Sequence, residues 1–249
     1  MQTPSLSGPT LSGDVTDRLR AEILDGRLEP GRKLAMSDLK QRFGVGLTPI
    51  REALSRLAGE RLVVTQGQRG FRVAPMSAAD FDEIVMLRQM VEECGVRAAI
   101  AQGDEAWEAH LVACFHLLER RVAALADDLS EVQIERYEDA HRAFHFAILA
   151  GAGSERLSWL QQRLYEDARR YRLLFYRESF AGNAVDPAEA GPVHRELLEA
   201  VLARDGDRSA ALLRDHVALI RPDELALTPD PTDPHRPPSP GSRPSGSSA

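Results

Sequence analysis

Apolar residues recur with a helical period along most of the chain, and turn-forming residues separate the periodic runs. VTDRLRAEILDG places Val15, Leu19 and Ile23 on one face and stops at Gly26. SDLKQRFG gives a second short helix, with Ser37 as candidate N-cap and Leu39 and Phe43 turned to the core. LTPIREALSRLAGE gives a third, with Thr48 as candidate N-cap, Pro49 at the first helical position and Ile50, Leu54 and Leu57 as the buried stripe. LVVTQGQRGFRVAP then changes to two strands around a glycine-containing turn. Helix, turn, helix and hairpin together predict a winged helix-turn-helix over residues 12–75.

Beyond it nearly everything reads as helix, with spans at 79–102, 104–126, 131–151, 154–177, 192–205 and 208–220. The breaks are QGD at 102–104, AGAGS at 150–154, AGNAVDP at 181–187 and DGD at 205–207. Six such segments predict an all-α antiparallel bundle over residues 79–222, so the fold class is mostly α. Residues 1–11 read as a flexible start, and the Pro- and Ser-rich run at 228–249 as a disordered tail that includes His235.

Composition narrows the class. At 43% hydrophobic and 28% charged residues, the 249-residue chain suits two modest globular domains. No apolar run would span a membrane, and MQTPSLSGPTLSG lacks the apolar segment of a secretion signal. Cys94 and Cys114 match neither a metal knuckle nor a disulfide framework, so a reducing cytoplasm is the expected compartment. Charge is uneven: residues 1–75 carry 12 Lys and Arg against 8 Asp and Glu, while the remainder carries 19 against 30. A basic end on a chain of net charge −7 suggests a polyanion partner, although a chance fluctuation gives the same imbalance.

In a winged helix the second helix of the pair enters the major groove by its N-terminal end. Here that end is Gly46, Leu47 and Thr48, with Arg51 one turn in, placed for guanine O6 and N7 or for a phosphate. The hairpin tip, with Gln68 and Arg69, is short, polar and basic enough to reach the adjacent groove. The plainer alternative is a small helical domain whose Arg51 and Arg69 only solvate its surface.

The run from ILDGRLEPGRKL through TPIREAL to QRGFRV resembles the DNA-binding domain of the GntR family of bacterial transcription regulators. The resemblance implies operator contacts at Thr48, Arg51, Gln68 and, less directly, Arg69. It also marks two departures: Leu47 and Ser37 stand where many members carry Arg, which implies a different operator.

The bundle holds a second concentration of chemistry. His141 and His145 are one helical turn apart on the face that continues to Ile148 and Leu149. His194 opens a stripe with Leu197, Leu198, Val201 and Leu202, and His216 sits among Leu212, Leu213, Leu219 and Ile220. The DGD turn makes the last two helices a hairpin that sets His194 and His216 at similar heights. A lone buried histidine is usually a satisfied core residue, but four inward imidazoles offer a divalent metal several neutral nitrogen ligands at once.

MLRQMVEECGVRAA, HRAFHFAILAGAGS and HRELLEAVLARDGDRSAALLRDHV resemble the helical FCD effector domain of the FadR branch of GntR regulators. The resemblance maps metal-ligand histidines onto His145, His194 and His216, and puts His141 where an Asp commonly stands. A set without that carboxylate favours zinc or nickel over magnesium or manganese. The alternative is that His141 stands behind a three-ligand site with open positions. Arg88 matches a pocket-facing Arg of many FCD members and is a candidate clamp for a carboxylate effector. Arg169 and Arg172 are weaker candidates, with a surface ion pair as the plainer reading.

DLKQRFGVGLTPIREALSRLAGERLV, the H-x-x-F-H variant and DARRYR are most similar to a carbon-starvation-induced subfamily of repressors that respond to glutarate-type dicarboxylates. The sequence thus suggests a homodimeric repressor on a palindromic operator, controlled by a small carboxylate at a metal site. A metal-free pocket is the first alternative. A metal-dependent hydrolase or lyase, with Glu138 as the only nearby acid, is the remote one.

Overall fold

The computed structural model describes residues 11–66, 70–181 and 190–219. The wing-tip residues Gln68 and Arg69, most of the 181–187 turn, His235 and the 228–249 tail lie outside them. The chain runs α1 (Leu11–Leu24), β1 (Lys33–Leu34), α2 (Met36–Phe43), α3 (Leu47–Gly59), β2 (Val63–Thr65) and β3 (Phe71–Val73). Six further helices follow: α4 (Ala78–Gln102), α5 (Glu105–Asp127), α6 (Glu131–Ala150), α7 (Glu155–Ala181), α8 (Ala190–Leu202) and α9 (Gly206–Val217).

The first core is the one the periodicity marks. Val15, Leu19 and Ile23 of α1 pack with Ile50, Leu54 and Leu57 of α3 and with Val63 and Val73 of the wing. Gly44 ends α2 at φ 67°, a left-handed conformation that costs glycine little, and its N–H bonds the Lys40 carbonyl. The sheet differs from the expected hairpin. It has three strands in the order β1-β3-β2, with Leu34 opposite Phe71 on one edge of β3 and Thr65 opposite the same residue on the other. A two-residue strand has no period of its own and forms only because β3 offers it an edge.

Both helix caps expected in this region move. α2 starts from Ala35, so Ser37 lies inside its first turn and bonds Asp38 instead. α3 starts from Gly46, and no side chain caps it; Thr48 is a first-turn residue, and Pro49 is the last of the four positions whose N–H has no helical acceptor.

The second core runs through the six-helix bundle. Trp107, Leu111, Phe115 and Leu118 of α5 meet Phe144, Ile148 and Leu149 of α6, Leu197 and Val201 of α8, and Leu213 of α9. Leu219, expected in the apolar stripe of His216, lies past the end of α9 and is exposed. A small third cluster, Met76, Phe81, Ile84, Ala168 and Tyr171, closes the junction between winged helix and bundle. There the Tyr171 hydroxyl donates to Asp80 at 2.7 Å beside Ser77, the N-cap of α4. None of the described helices is long and apolar enough to cross a membrane.

Helix α4 crosses close to α6 and α7 at Gly95. A Cβ there would lie 2.6 Å from Cδ2 of the buried Leu149 and 3.0 Å from Leu157. Overpacking costs about 1–3 kcal/mol, against the roughly 1 kcal/mol that alanine gains over glycine in a helix. Gly95→Ala is therefore expected to lower stability in urea denaturation, and an unchanged or raised midpoint would contradict this close crossing.

Candidate metal centre and nucleic-acid interface

Three helices deliver four imidazoles to one point. α6 supplies His141 and His145 from adjacent turns, α8 supplies His194 and α9 supplies His216. Their candidate ligand atoms all lie within 4.8 Å of one another. The His145 and His216 rings stack at 4.8 Å between centroids, and His194 meets His216 edge-on at 4.5 Å. His141 Nε2 and His216 Nε2 are 3.3 Å apart, the separation expected of two nitrogens that share one ion with metal–nitrogen bonds of about 2.0–2.1 Å.

Two further observations test the fit. Both ring nitrogens of His145, which is fully buried, and Nδ1 of His216 find no hydrogen-bond partner among the described residues. An unsatisfied buried polar atom is costly, and a metal ion would satisfy one nitrogen of each such ring directly. Three of the donors are also pushed toward the neutral form. Burial, then the neighbouring imidazoles and the nearby Arg172, hold His141 well below the ordinary histidine pKa. Burial, then His216, His194, Arg88 and Arg172, do the same to His145. His216 is lowered by burial, His194, Arg88 and Arg172. Neutral imidazole is the form that ligates metals.

The surroundings contain residues that the sequence pattern did not mark. The Tyr165 hydroxyl lies 2.7 Å from His141 Nδ1. With Nδ1 donating to that oxygen, Nε2 keeps its lone pair toward the cluster, the usual way an outer residue sets a ligand's tautomer. Arg172 stacks on the Tyr165 ring at 3.8 Å and forms a buried two-point pair with Glu138, at 2.5 and 3.4 Å. It is therefore no surface pair, contrary to the plainer reading of its sequence, and its Nη1 has no hydrogen-bond partner among the described residues. Arg88 is likewise buried and pairs with Glu92 on its own helix at 2.8 Å. Glu138, held by Arg172, is not placed as a free base. Tyr165 and Glu92 carry no periodic signal, because each is one polar position in a long amphipathic helix.

Arg169 leaves the site altogether. It donates to Asp25, beyond the end of α1, at 2.8 Å, and its neighbour Arg170 donates to the Ala74 carbonyl after β3 at 2.8 Å. Arg163 reaches the Glu60 carbonyl at the end of α3. One helix, α7, thus touches the histidine centre through Tyr165 and Arg172 and holds the winged helix through Arg163, Arg169 and Arg170.

At the other end of the molecule, Leu47, Thr48, Arg51, Glu52, Ser55 and Arg56 line the exposed face of α3. Its uncapped N-terminus leaves N–H groups available to a phosphate, and Thr48 and Arg51 project freely.

A winged helix with an exposed reading helix, joined to a bundle built around a ligand-type histidine cluster, defines a DNA-binding regulator with a sensing domain. Comparison with known proteins agrees. Residues 11–73 match the bacterial regulatory proteins of the gntR family, and residues 83–219 match the FCD domain. The chain belongs to the GntR family, in the branch that carries an FCD domain. It is 40% identical to the HTH-type transcriptional repressor GlaR of Escherichia coli K12, over 80% of this chain and 89% of that protein. It is 37% identical to the HTH-type regulator BphR of Paraburkholderia xenovorans LB400, over 80% and 79%. Among solved structures, a GntR regulator from Rhodococcus sp. RHA1 superposes with a TM-score of 0.64 at 26% identity, covering 83% of this chain and 93% of that one. E. coli McbR/YncC shares the fold at the same TM-score of 0.64 and 21% identity, over 85% and 97%. These relatives are named regulators, not enzymes, which leaves the hydrolase or lyase alternative without support.

The depressed histidine pKa values give stability a pH dependence with a definite sign. Above the unfolded histidine value of about 6.5, both states hold neutral rings and the site adds no slope. Below it the unfolded chain takes up protons that the folded cluster refuses, so stability falls with pH. Each ring contributes at most about 1.4 kcal/mol per pH unit. Metal-free protein should therefore lose stability between about pH 6.5 and 5, and His145→Gln should flatten that loss. Identical slopes for the two proteins in urea titrations would remove the cluster as its source.

Proposed function

We propose that the protein is a repressor that binds a palindromic operator as a homodimer and releases it when a small carboxylate binds at a divalent metal held by His141, His145, His194 and His216. The observation that carries this reading is the convergence of four buried or partly buried imidazoles, with ligand atoms within 4.8 Å, in the sensing domain of a DNA-binding family. The donor set is all nitrogen, which favours zinc or nickel. Such an ion supplies a Lewis-acid anchor for a carboxylate oxygen.

The charges around the centre support an anionic effector. Arg88 and Arg172 are each neutralised, by Glu92 and Glu138, and His141, His145 and His216 are pushed toward the neutral form. The ion's charge is then left for the ligand to balance, which a dicarboxylate of the glutarate type does fully. Arg172 offers the second carboxylate its Nη1, which has no partner among the described residues, and Arg88 borders the same cluster. On the DNA side, Thr48 and Arg51 read the major groove and the wing tip with Gln68 and Arg69 takes the adjacent groove. Half-sites then lie about 34 Å apart. Helix α7 carries the signal: a ligand that shifts Tyr165 or Arg172 also shifts the helix that grips Asp25, Glu60 and Ala74.

Thermal shift on untagged protein, with and without chelator, against C3 to C6 mono- and dicarboxylates tests the pocket. A stabilising acid whose effect vanishes with chelator is the expected result. Stabilisation that survives chelator would show the histidines binding the acid themselves, and no stabilisation by any acid would overturn the carboxylate reading. The coupling has its own test. Arg169→Ala removes a partly exposed pair worth about 0.2–1 kcal/mol, so it should leave the acid-induced thermal shift intact. The acid's effect on operator affinity should change by about 2–5-fold. An unchanged effect in a DNA-binding titration would take α7 out of the signal path.

A further inference from the structure

Leu47 breaks the pattern of its own helix. By spacing it belongs with Ile50, Leu54 and Leu57, which recur every three or four residues and are wholly buried. The structure instead leaves it 48% exposed at the first position of α3, outside the core that takes the other three. The extended Gly46 before it carries no side chain, so Leu47 is the first side chain that the helix presents, beside Thr48 and Arg51. Every other residue lining this face is polar or charged.

An exposed leucine at the point of a groove-entering helix can be matched by only one group on the base edges. The major groove presents hydrogen-bond donors and acceptors at every base pair, and the C5-methyl of thymine is its one apolar feature. A leucine set over guanine, cytosine or adenine would strip water from polar edges and return no hydrogen bond. We infer that Leu47 reads a thymine methyl in each half-site, with Arg51 one turn further in on a guanine or a phosphate. This rests on the operator-binding reading above, and it makes Leu47 a determinant of base preference rather than a gap in a row of arginines.

The test uses the full-length protein and duplexes that it selects from a random pool. Each thymine in the selected site is replaced in turn by deoxyuridine, which pairs identically and lacks only the methyl. Affinities are measured at one fixed salt concentration for the native protein and for Leu47→Ala, whose folding is checked by circular dichroism. At one thymine per half-site, the replacement should weaken native binding about fourfold, the effect of one buried methyl, and leave Leu47→Ala unaffected. Equal effects on both proteins at every thymine would overturn the inference while leaving operator binding intact. Failure to enrich any duplex would overturn the operator-binding reading itself, and this inference with it.

Discussion

The cost of burying four imidazoles together constrains the whole sensing domain. Each ring offers a polar nitrogen that must be bonded, and His141, His145 and His216 resist protonation, through burial first and then through the neighbouring imidazoles and arginines. Three helices must therefore meet in a fixed register, so that the nitrogens face one another rather than apolar side chains. The bundle core of Phe144, Ile148, Leu197, Val201 and Leu213 holds α6, α8 and α9 in that register. At its border Tyr165 bonds His141, and Glu92 and Glu138 pair with the two arginines.

The same constraint explains why the surrounding charges come as closed pairs. A free guanidinium beside neutral imidazoles would compete with a cation for the site. Pairing Arg88 with Glu92 and Arg172 with Glu138 removes that repulsion and leaves the guanidiniums as local donors rather than net charges. Isolated buried pairs of this kind are poor sources of stability, so their place beside the centre fits a role in shaping a pocket better than one in folding.

Helix α7 gives the two halves of the molecule a mechanical relation. Its inner face lies against the histidine centre, and three arginines along it bond the winged helix at the end of α1, the end of α3 and the exit from β3. Two of these contacts end on backbone carbonyls, so they report where the chain lies rather than which side chain it carries there. A small displacement of α7 would be felt at the base of the reading helix.

Local pattern alone set much of this out. Apolar spacing located α1 to α3 and all six bundle helices to within a few residues, because each buries one continuous stripe. The inward direction of His141, His145, His194 and His216 followed from the same spacing, since a polar residue on a buried stripe has nowhere else to point. Long-range encounters were beyond its reach. β1 exists only against β3, Tyr165 meets His141 across 24 positions, and Glu138 meets Arg172 across 34. Leu47, placed by the sequence at the groove-entering end of α3 rather than in its buried stripe, is exposed where the helix begins. Periodicity along a chain specifies which face of an element is buried. Which element it is buried against, and which polar groups come together there, depends on how the helices pack, and only the tertiary structure decides that.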